Sequence, residues 1–370
     1  MLFVVLTSSV ILLLYALLII SYTLGWNKIK KISQEGFSPK VSIVIAIRNE
    51  ENQIAPLLKS LQSQIYPRDK LEFILVNDHS TDNTLALLEK LNLDNLQILN
   101  MPEGKFGKKD AIRMAVSKAS GDLILVSDAD CIFNPNWVQT MASYFTNDGI
   151  KLVSGPVSFN KQQSLFQSLQ ALEFASLIGS GAGAIGIQNP IFCNGANMAY
   201  RKEVFLAVNN FEKDSAASGD DVFLLHSVKA KYPTSIVFAK DENAIVTTAS
   251  AQTFSDFINQ RKRWAAKSSG YKDISSIYAS YLVFFTNLSF IFLFVLLFFN
   301  SCFFPLFAGV YIIKFMVDLF LLLPVLKFFN RTDLIKWIFP FELLYSFYII
   351  LIVILSFTKK FEWKGRIHKK

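Results

Sequence analysis

Carboxylates follow short apolar runs at three successive places in this sequence: Glu50 and Glu51 after residues 41–47, Asp78 and Asp82 after 72–76, and Asp128 and Asp130 after 123–127. An apolar run of that length ending in polar residues reads as a buried strand, and in a parallel sheet ligands gather at the carboxyl ends of the strands. Asp-x-Asp at a strand exit projects two hard oxygen donors to one side, which suits a divalent cation such as Mg²⁺ or Mn²⁺ with open coordination positions. A nucleotide diphosphate fills such positions, and the cation then neutralises charge on a departing pyrophosphate. Each cluster also has a purely structural reading: Glu50 and Glu51 suit a helix N-terminus, and Ser80 or Asp82 an N-cap. Three successive strand ends of one sheet are harder to explain by capping alone.

The elements that must hold these groups lie between residues 39 and 251, where short apolar runs alternate with amphipathic segments, the pattern of an α/β domain with a largely parallel sheet. The pattern predicts strands at 41–47, 72–76, 96–99 and 123–127 and helices at 51–64, 84–91 and 109–119. The glycine-rich stretch 179–186 fits either a mobile loop or a small-residue packing surface. His79, His226 and His368 lack metal-binding spacing and are expected to be structural. Cys131, Cys193 and Cys302 show neither zinc spacing nor an even-numbered framework, as expected of a reducing compartment.

At 370 residues, with 35 phenylalanines, the chain is long enough for this domain and a second region of different character. Residues 2–24 carry no charge, enough at about 1.5 Å per residue to cross a hydrocarbon core of roughly 30 Å. A cleaved signal peptide fits less well, since the run lacks a basic flank before it and a small-x-small site before Trp26. Lys28, Lys30, Lys31 and Lys40 follow it and favour a cytoplasmic middle region. Residues 278–329 hold two further spans turning at 300–305, and 338–357 one more. The expected organisation is a membrane anchor at 1–26, a cytoplasmic α/β domain at 39–251, an interfacial segment at 252–277, membrane segments at 278–357 and a basic tail at 358–370. Lys327, Arg331 and Lys336 in the last loop and Lys359, Lys360 and Lys364 in the tail both call for the cytoplasmic side. Three crossings after the domain cannot satisfy both, so one segment is expected to be re-entrant or interfacial, with Pro340 as a break. Inside the second of them, Lys314 and Asp318 at i and i+4 are expected to pair. The net charge of +8 belongs largely to these flanks, and no basic stripe interleaved with aromatics points to nucleic acid.

The successive segments ending in Arg48-Asn49-Glu50-Glu51, Asn77-Asp78-His79-Ser80-Thr81-Asp82 and Asp128-Ala129-Asp130 resemble the motifs of family 2 glycosyltransferases with the GT-A fold. Ser218-Gly219-Asp220-Asp221 is similar to that family's Gly-Glu-Asp motif, with Asp220 in place of its Glu. Gln260-Arg261-Lys262-Arg263-Trp264 resembles the Gln-x-x-Arg-Trp motif of membrane-bound members such as cellulose, chitin and hyaluronan synthases. Asn194-Gly195-Ala196-Asn197 resembles an acceptor-side segment, and Trp363-Lys364-Gly365-Arg366 a C-terminal element of such members. The order agrees from Val41 to Trp264.

The resemblance implies a nucleotide-sugar donor and Mg²⁺ or Mn²⁺. It places Glu50, Asp78, Lys108, Asp128 and Arg263 on the donor, Asp130 with Asp128 on the metal, and Asp220, Gln260 and Trp264 toward the acceptor, with Asp221 as general base. Arg113 stands where the family has an Asn beyond Lys108. One base without a second nucleophile implies inversion at the anomeric carbon. Arg263 suits paired bonds to a diphosphate, and Trp264 offers a flat face to a sugar ring. The same helix also fits an amphipathic surface segment, with Phe254, Phe257, Ile258 and Trp264 against Arg261, Lys262 and Lys267. The expected acceptor is a lipid or a growing polysaccharide, and a partner subunit is compatible with so few spans. A nucleotidyltransferase is the alternative enzyme, but Arg48-Asn49-Glu50 is not the glycine-rich phosphate loop it would need. A non-catalytic membrane scaffold is the third reading, opposed by intact Asp130, Asp221 and Arg263.

Overall fold

The computed structural model describes residues 2–32, 36–91, 93–208, 220–357, 360–363 and 366–369. The chain opens with α1 (Leu2–Lys28), followed by β1 (Val41–Ile47), α2 (Ile54–Gln62), β2 (Leu71–Asn77), α3 (Thr84–Glu89), β3 (Leu96–Asn100), α4 (Lys108–Lys118) and β4 (Leu123–Asp128). Next come β5 (Ile132–Phe133), α5 (Trp137–Ser143), β6 (Leu152–Ser154), β7 (Val157–Phe159), α6 (Leu165–Gly186), β8 (Asn197–Arg201), α7 (Lys202–Val208), α8 (Asp220–Lys231), β9 (Ile236–Phe238) and β10 (Val246–Thr248). The last part is helical, with α9 (Phe254–Lys267), α10 (Ile274–Leu296), α11 (Phe304–Phe328) and α12 (Ile335–Ser356), before a hairpin of β11 (Lys360–Trp363) and β12 (Arg366–Lys369).

Seven strands form one sheet in the order β3-β2-β1-β4-β8-β6-β9. β3, β2, β1 and β4 are parallel, while β8 runs antiparallel to both β4 and β6. β1 and β2 are buried along nearly their whole length, which is why they read as unbroken apolar runs. In register, Ala46 lies opposite Val76 and Asp128, so β1, β2 and β4 release their polar sequels along one edge. The predicted strands all form; the first predicted helix is shorter, starting at Ile54, because Arg48 to Gln53 form the loop that carries chemistry.

The glycine-rich stretch is the end of α6, packed face to face on α1. A Cβ at Gly183 would sit 2.3 Å from the Tyr22 carbonyl oxygen, and one at Gly186 2.1 Å from that of Gly25. Only glycine lets the two backbones touch at this crossing. Gly183→Ala is expected to destabilise the protein by about 1–3 kcal/mol through overpacking, read as thermal unfolding in detergent. Gly309→Ala is the control, since nothing lies within 4 Å of a Cβ there. Equal melting of the two variants would show that the α1/α6 crossing contributes nothing.

Four helical stretches are long and apolar enough to cross a membrane: Leu2–Lys28, Ile274–Leu296, Ser301–Phe328 and Thr332–Ser356. Lys314 on α11 is fully buried and donates to Asp318 Oδ2 at 2.9 Å, the expected pair. It also donates to the carboxylate of Glu342 on α12, and the Tyr15 hydroxyl of α1 donates to Asp318 Oδ1 at 2.7 Å. Three helices are thus tied by one cluster. Glu342 hides in an apolar run, and nothing in its spacing announces a lysine 28 residues away.

Candidate active site

Two loops at the sheet edge are stitched together before any ligand is considered. Arg48 Nη1 donates to the carbonyl oxygens of Asp78 (2.7 Å) and His79 (2.6 Å). The N–H of Thr81 donates to Asn49 Oδ1, and that of Glu50 to Thr84 Oγ1, each at 2.8 Å. Glu51 accepts from the Asn83 N–H at 3.1 Å and Asp82 from the Glu51 N–H at 3.2 Å. These two carboxylates hold the loops, the structural role their positions allow, whereas Glu50 lines the cavity beside them.

Asp78 is buried at the end of β2, its Oδ2 accepting from the Gly107 N–H at 3.0 Å. Gly107 has φ 93°, a left-handed value that favours glycine, and its turn delivers Lys108 as the first residue of α4. Lys108 Nζ donates to Asp128 Oδ1 at 2.5 Å and to the Gly195 carbonyl at 3.3 Å. Asp130 lies just beyond, accepting from Thr248 Oγ1 at 2.9 Å. The pairing of β5 with β10, Val246 opposite Phe133, brings that threonine within reach. Among the described residues no group of three or more His, Cys, Asp or Glu side chains gathers as a metal cluster. Asp128 and Asp130 therefore offer two hard oxygen donors, a set that fits Mg²⁺ or Mn²⁺ only with further ligands from a diphosphate and water.

Asp221 stands at the start of α8, across from this edge. Its Oδ1 accepts from the Val222 N–H at 2.8 Å and its Oδ2 from the Gly195 N–H at 3.1 Å, with Lys267 Nζ at 3.4 Å. Burial pushes the carboxyl up, but the Lys267 and Lys108 ammonium groups and those two N–H bonds outweigh it and hold it below the ordinary range. It is the second residue of α8 and lines the cavity. Asp220 precedes it at the first position of α8, and its side chain lies outside the described residues.

Two basic residues of the amphipathic surface reading of α9 turn inward. Arg261 is 2% exposed and pairs through both Nε and Nη2 with Glu173 of α6, 88 residues earlier. Tyr348 of α12 donates to the same carboxylate at 3.1 Å, and the Arg261 guanidinium stacks 4.2 Å from the Trp264 ring centre. A charge removed from water needs such complete pairing. Lys267 turns to Asp221. Gln260, Arg263 and Trp264 line the cavity, with Trp264 partly packed on Phe174 at 5.9 Å between ring centres. Glu173 escaped the sequence reading because a lone acid in an apolar helix has no local signature. His226 Nε2 lies 2.9 Å from the Ile191 carbonyl oxygen and 3.0 Å from Ser276 Oγ.

Asp78, Lys108, Asp128, Asp130, Asp221, Arg263 and Trp264 line one cavity of about 1010 Å³. It starts at Asp78, Lys108, Asp128, Asp130 and Asp221, passes Arg263 and Trp264, and continues among α1, α10, α11 and α12 as far as Asp318 and Glu342.

A mixed sheet with carboxylates along one edge, set on long apolar helices, defines an α/β domain of the GT-A class joined to candidate membrane segments. Residues 42–208, somewhat under half of the chain, match the family model "Glycosyl transferase family 2", so this segment is a glycosyltransferase domain of that family. The likeness of fold extends over the whole chain: the mannosyltransferase PcManGT from Pyrobaculum calidifontis, determined in complex with GDP-Man and Mn²⁺, superimposes with a TM-score of 0.62 at 16% identity, covering 96% of this chain and 97% of that one. The probable glycosyltransferase YdaM of Bacillus subtilis is 37% identical over 111 residues, 29% of this chain and 25% of YdaM. The poly-beta-1,6-N-acetyl-D-glucosamine synthase of Staphylococcus aureus is 29% identical over 159 residues, 41% of this chain and 38% of the synthase. The chain thus spans well under half the length of these two relatives.

Proposed function

We propose that the protein is an inverting, divalent-metal-dependent glycosyltransferase that moves a sugar from a nucleotide diphosphate donor, a UDP-sugar by resemblance, onto a lipid or growing polysaccharide at the membrane. The observation that carries this reading is the single cavity joining the carboxylate edge to the interior of the apolar helices. A donor enters its upper part from water, and an acceptor held in the membrane enters its lower part. Asp78 meets the nucleoside base and orders the loop before Lys108; Lys108 and Arg263 meet the diphosphate. Asp128 and Asp130 would hold Mg²⁺ or Mn²⁺, which when bound supplies charge neutralisation on the leaving diphosphate. Asp221 takes the acceptor's hydroxyl proton as its oxygen bonds to the anomeric carbon and the bond to the diphosphate breaks, one displacement with inversion. Asp220, Gln260 and Trp264 shape the acceptor side. The bound GDP-Man and Mn²⁺ of the Pyrobaculum enzyme agree with this chemistry.

The proposed orientation puts the α/β domain in the cytoplasm, with α1, α10 and α11 crossing. α12 does not cross in this reading. The turn 332–334 before it lies against α6 and the strand β11 after it against α9, both on the catalytic side. That arrangement lets the basic loop at Lys327 and the basic tail at Lys359 share one compartment, as their charge requires. Cys302, exposed in the α10–α11 turn, is expected to react with a membrane-impermeant maleimide on intact cells. A cysteine placed at Lys364 in a Cys302→Ser background is expected to stay unlabelled until the cells are opened; labelling from outside would mean that α12 crosses.

The activity is tested by nucleoside diphosphate release from purified protein, with Mg²⁺, Mn²⁺ or chelator, across a panel of nucleotide sugars and with or without native lipid extract. Metal-dependent release from one donor, stimulated by extract, is the expected result. Release that persists undiminished in chelator would remove the metal from the proposal.

A further inference from the structure

We infer that the membrane end of the cavity is the acceptor's binding site and that it takes an uncharged polyhydroxyl group, a sugar or a glycerol diol, in preference to a lipid phosphate. The inference rests on the transferase reading above and names its acceptor class.

The walls carry the argument. Tyr15 of α1, Asp318 of α11 and Glu342 and Tyr345 of α12 line this end, flanked by the apolar Leu18 and Leu321. On α12 the lining residues Ile338, Glu342, Tyr345, Ile349 and Val353 recur every three or four positions, so one helical stripe forms the floor along much of its length. Lys314, the only cation of this cluster among the described residues, is fully buried behind it, donating to both carboxylates. The cavity therefore meets carboxylate and phenol oxygens there, not the ammonium. One ammonium, held out of the cavity, serves both carboxyl groups, so the wall offers oxygens and no cation. Hydroxyl groups donate to such oxygens, whereas a phosphate would meet no cation there while losing its own water.

The donor end differs in one respect. Lys108, Arg263 and Lys267 line it beside its carboxylates, so an anion finds cations there, whereas the described side chains lining the membrane end include none. The chemistry agrees. An acceptor hydroxyl gives its proton to Asp221 as its oxygen bonds to the anomeric carbon and the nucleoside diphosphate departs with the electron pair of the broken bond. A phosphate acceptor is already ionised at neutral pH and has no use for a base.

The test uses the full protein in phosphatidylcholine nanodiscs doped with a glucosyl diacylglycerol or with a polyprenyl phosphate, or given a soluble oligosaccharide. Adducts are read by native mass spectrometry without donor, and nucleoside diphosphate release with it. The glycolipid or the oligosaccharide is expected to form an adduct and to raise release about tenfold, 1.4 kcal/mol of preference over the phosphate. Response to the glycolipid places the source in the lipid, and response to the oligosaccharide alone places it in a glycan. Preferential adducts with polyprenyl phosphate, or none with either neutral probe, overturn the inference. Leu321→Trp fills the passage without touching a charge, and Val283→Trp on α10 does so from another helix. Both are expected to lose the adduct and the stimulation; if both keep the adduct, the site is wrong. Because adducts are read without turnover, a protein that binds the glycolipid yet releases no nucleotide from any donor counts against the transferase reading alone.

Discussion

Asp221→Asn is expected to lower turnover by about 10²–10⁴-fold, the range a positioned general base supplies, with donor affinity unchanged or improved. The amide oxygen replaces only one of the two acceptors, so either the Gly195 or the Val222 N–H loses its partner, and thermal unfolding of the variant is the control for folding. What disappears is the proton acceptor and the negative charge that Lys267 and Lys108 now face, which leaves both lysines more attractive to a diphosphate. Turnover above about a tenth of wild type, less than 1.4 kcal/mol of barrier, would show that Asp221 is not the base.

The same contacts set a pH dependence. Asp221 is held below its ordinary carboxyl value, so its ionised form contributes stability that is fully present above the unfolded value and is lost as pH falls through the lower, folded one. In the empty site it is ionised at neutral pH but only weakly basic. A bound diphosphate is expected to draw Lys108 away from Asp128 and Asp221, and the loss of one ammonium raises the carboxyl toward a useful basicity. The acid limb of kcat, which reports the donor complex, should therefore lie at higher pH than that of kcat/KM. Coincident limbs would mean that the donor leaves Lys108 where it is.

Asp130→Ala is expected to abolish the strengthening of nucleoside diphosphate binding by Mn²⁺, costing about a hundredfold in affinity at saturating metal, at least what losing an outer-shell partner of a metal costs. The two aspartates of the pair are not equivalent. Asp128 already holds the Lys108 ammonium at 2.5 Å, whereas Asp130 accepts from the neutral Thr248 hydroxyl. Calorimetric titration of nucleoside diphosphate with and without Mn²⁺ decides the point: an undiminished metal increment in Asp130→Ala would move the cation to other ligands.

The amino-acid sequence by itself determined the sheet strands, the edge on which their polar sequels fall, the apolar helices and the Lys314–Asp318 pair. All of these are written in short-range periodicity, since burial on both faces demands unbroken apolar strands and a helix brings i and i+4 together. Asp78, Asp128 and Asp130 were legible too, because each stands at the exit of a strand, and Asp221 and Arg263 through the resemblance of their motifs. Only the tertiary structure decided what these residues touch. Arg261 reads as surface charge until α6 brings Glu173 to it, and Glu342 reads as a blemish in an apolar run until α11 offers Lys314. The glycines at 183 and 186 read as loop or packing surface until α1 lies across them. Lys267 meets Asp221 across 46 residues and Tyr15 meets Asp318 across 303. Such pairs leave no local period, because a buried charge is compensated by whichever partner the packing of whole helices delivers, and that choice belongs to the assembled chain.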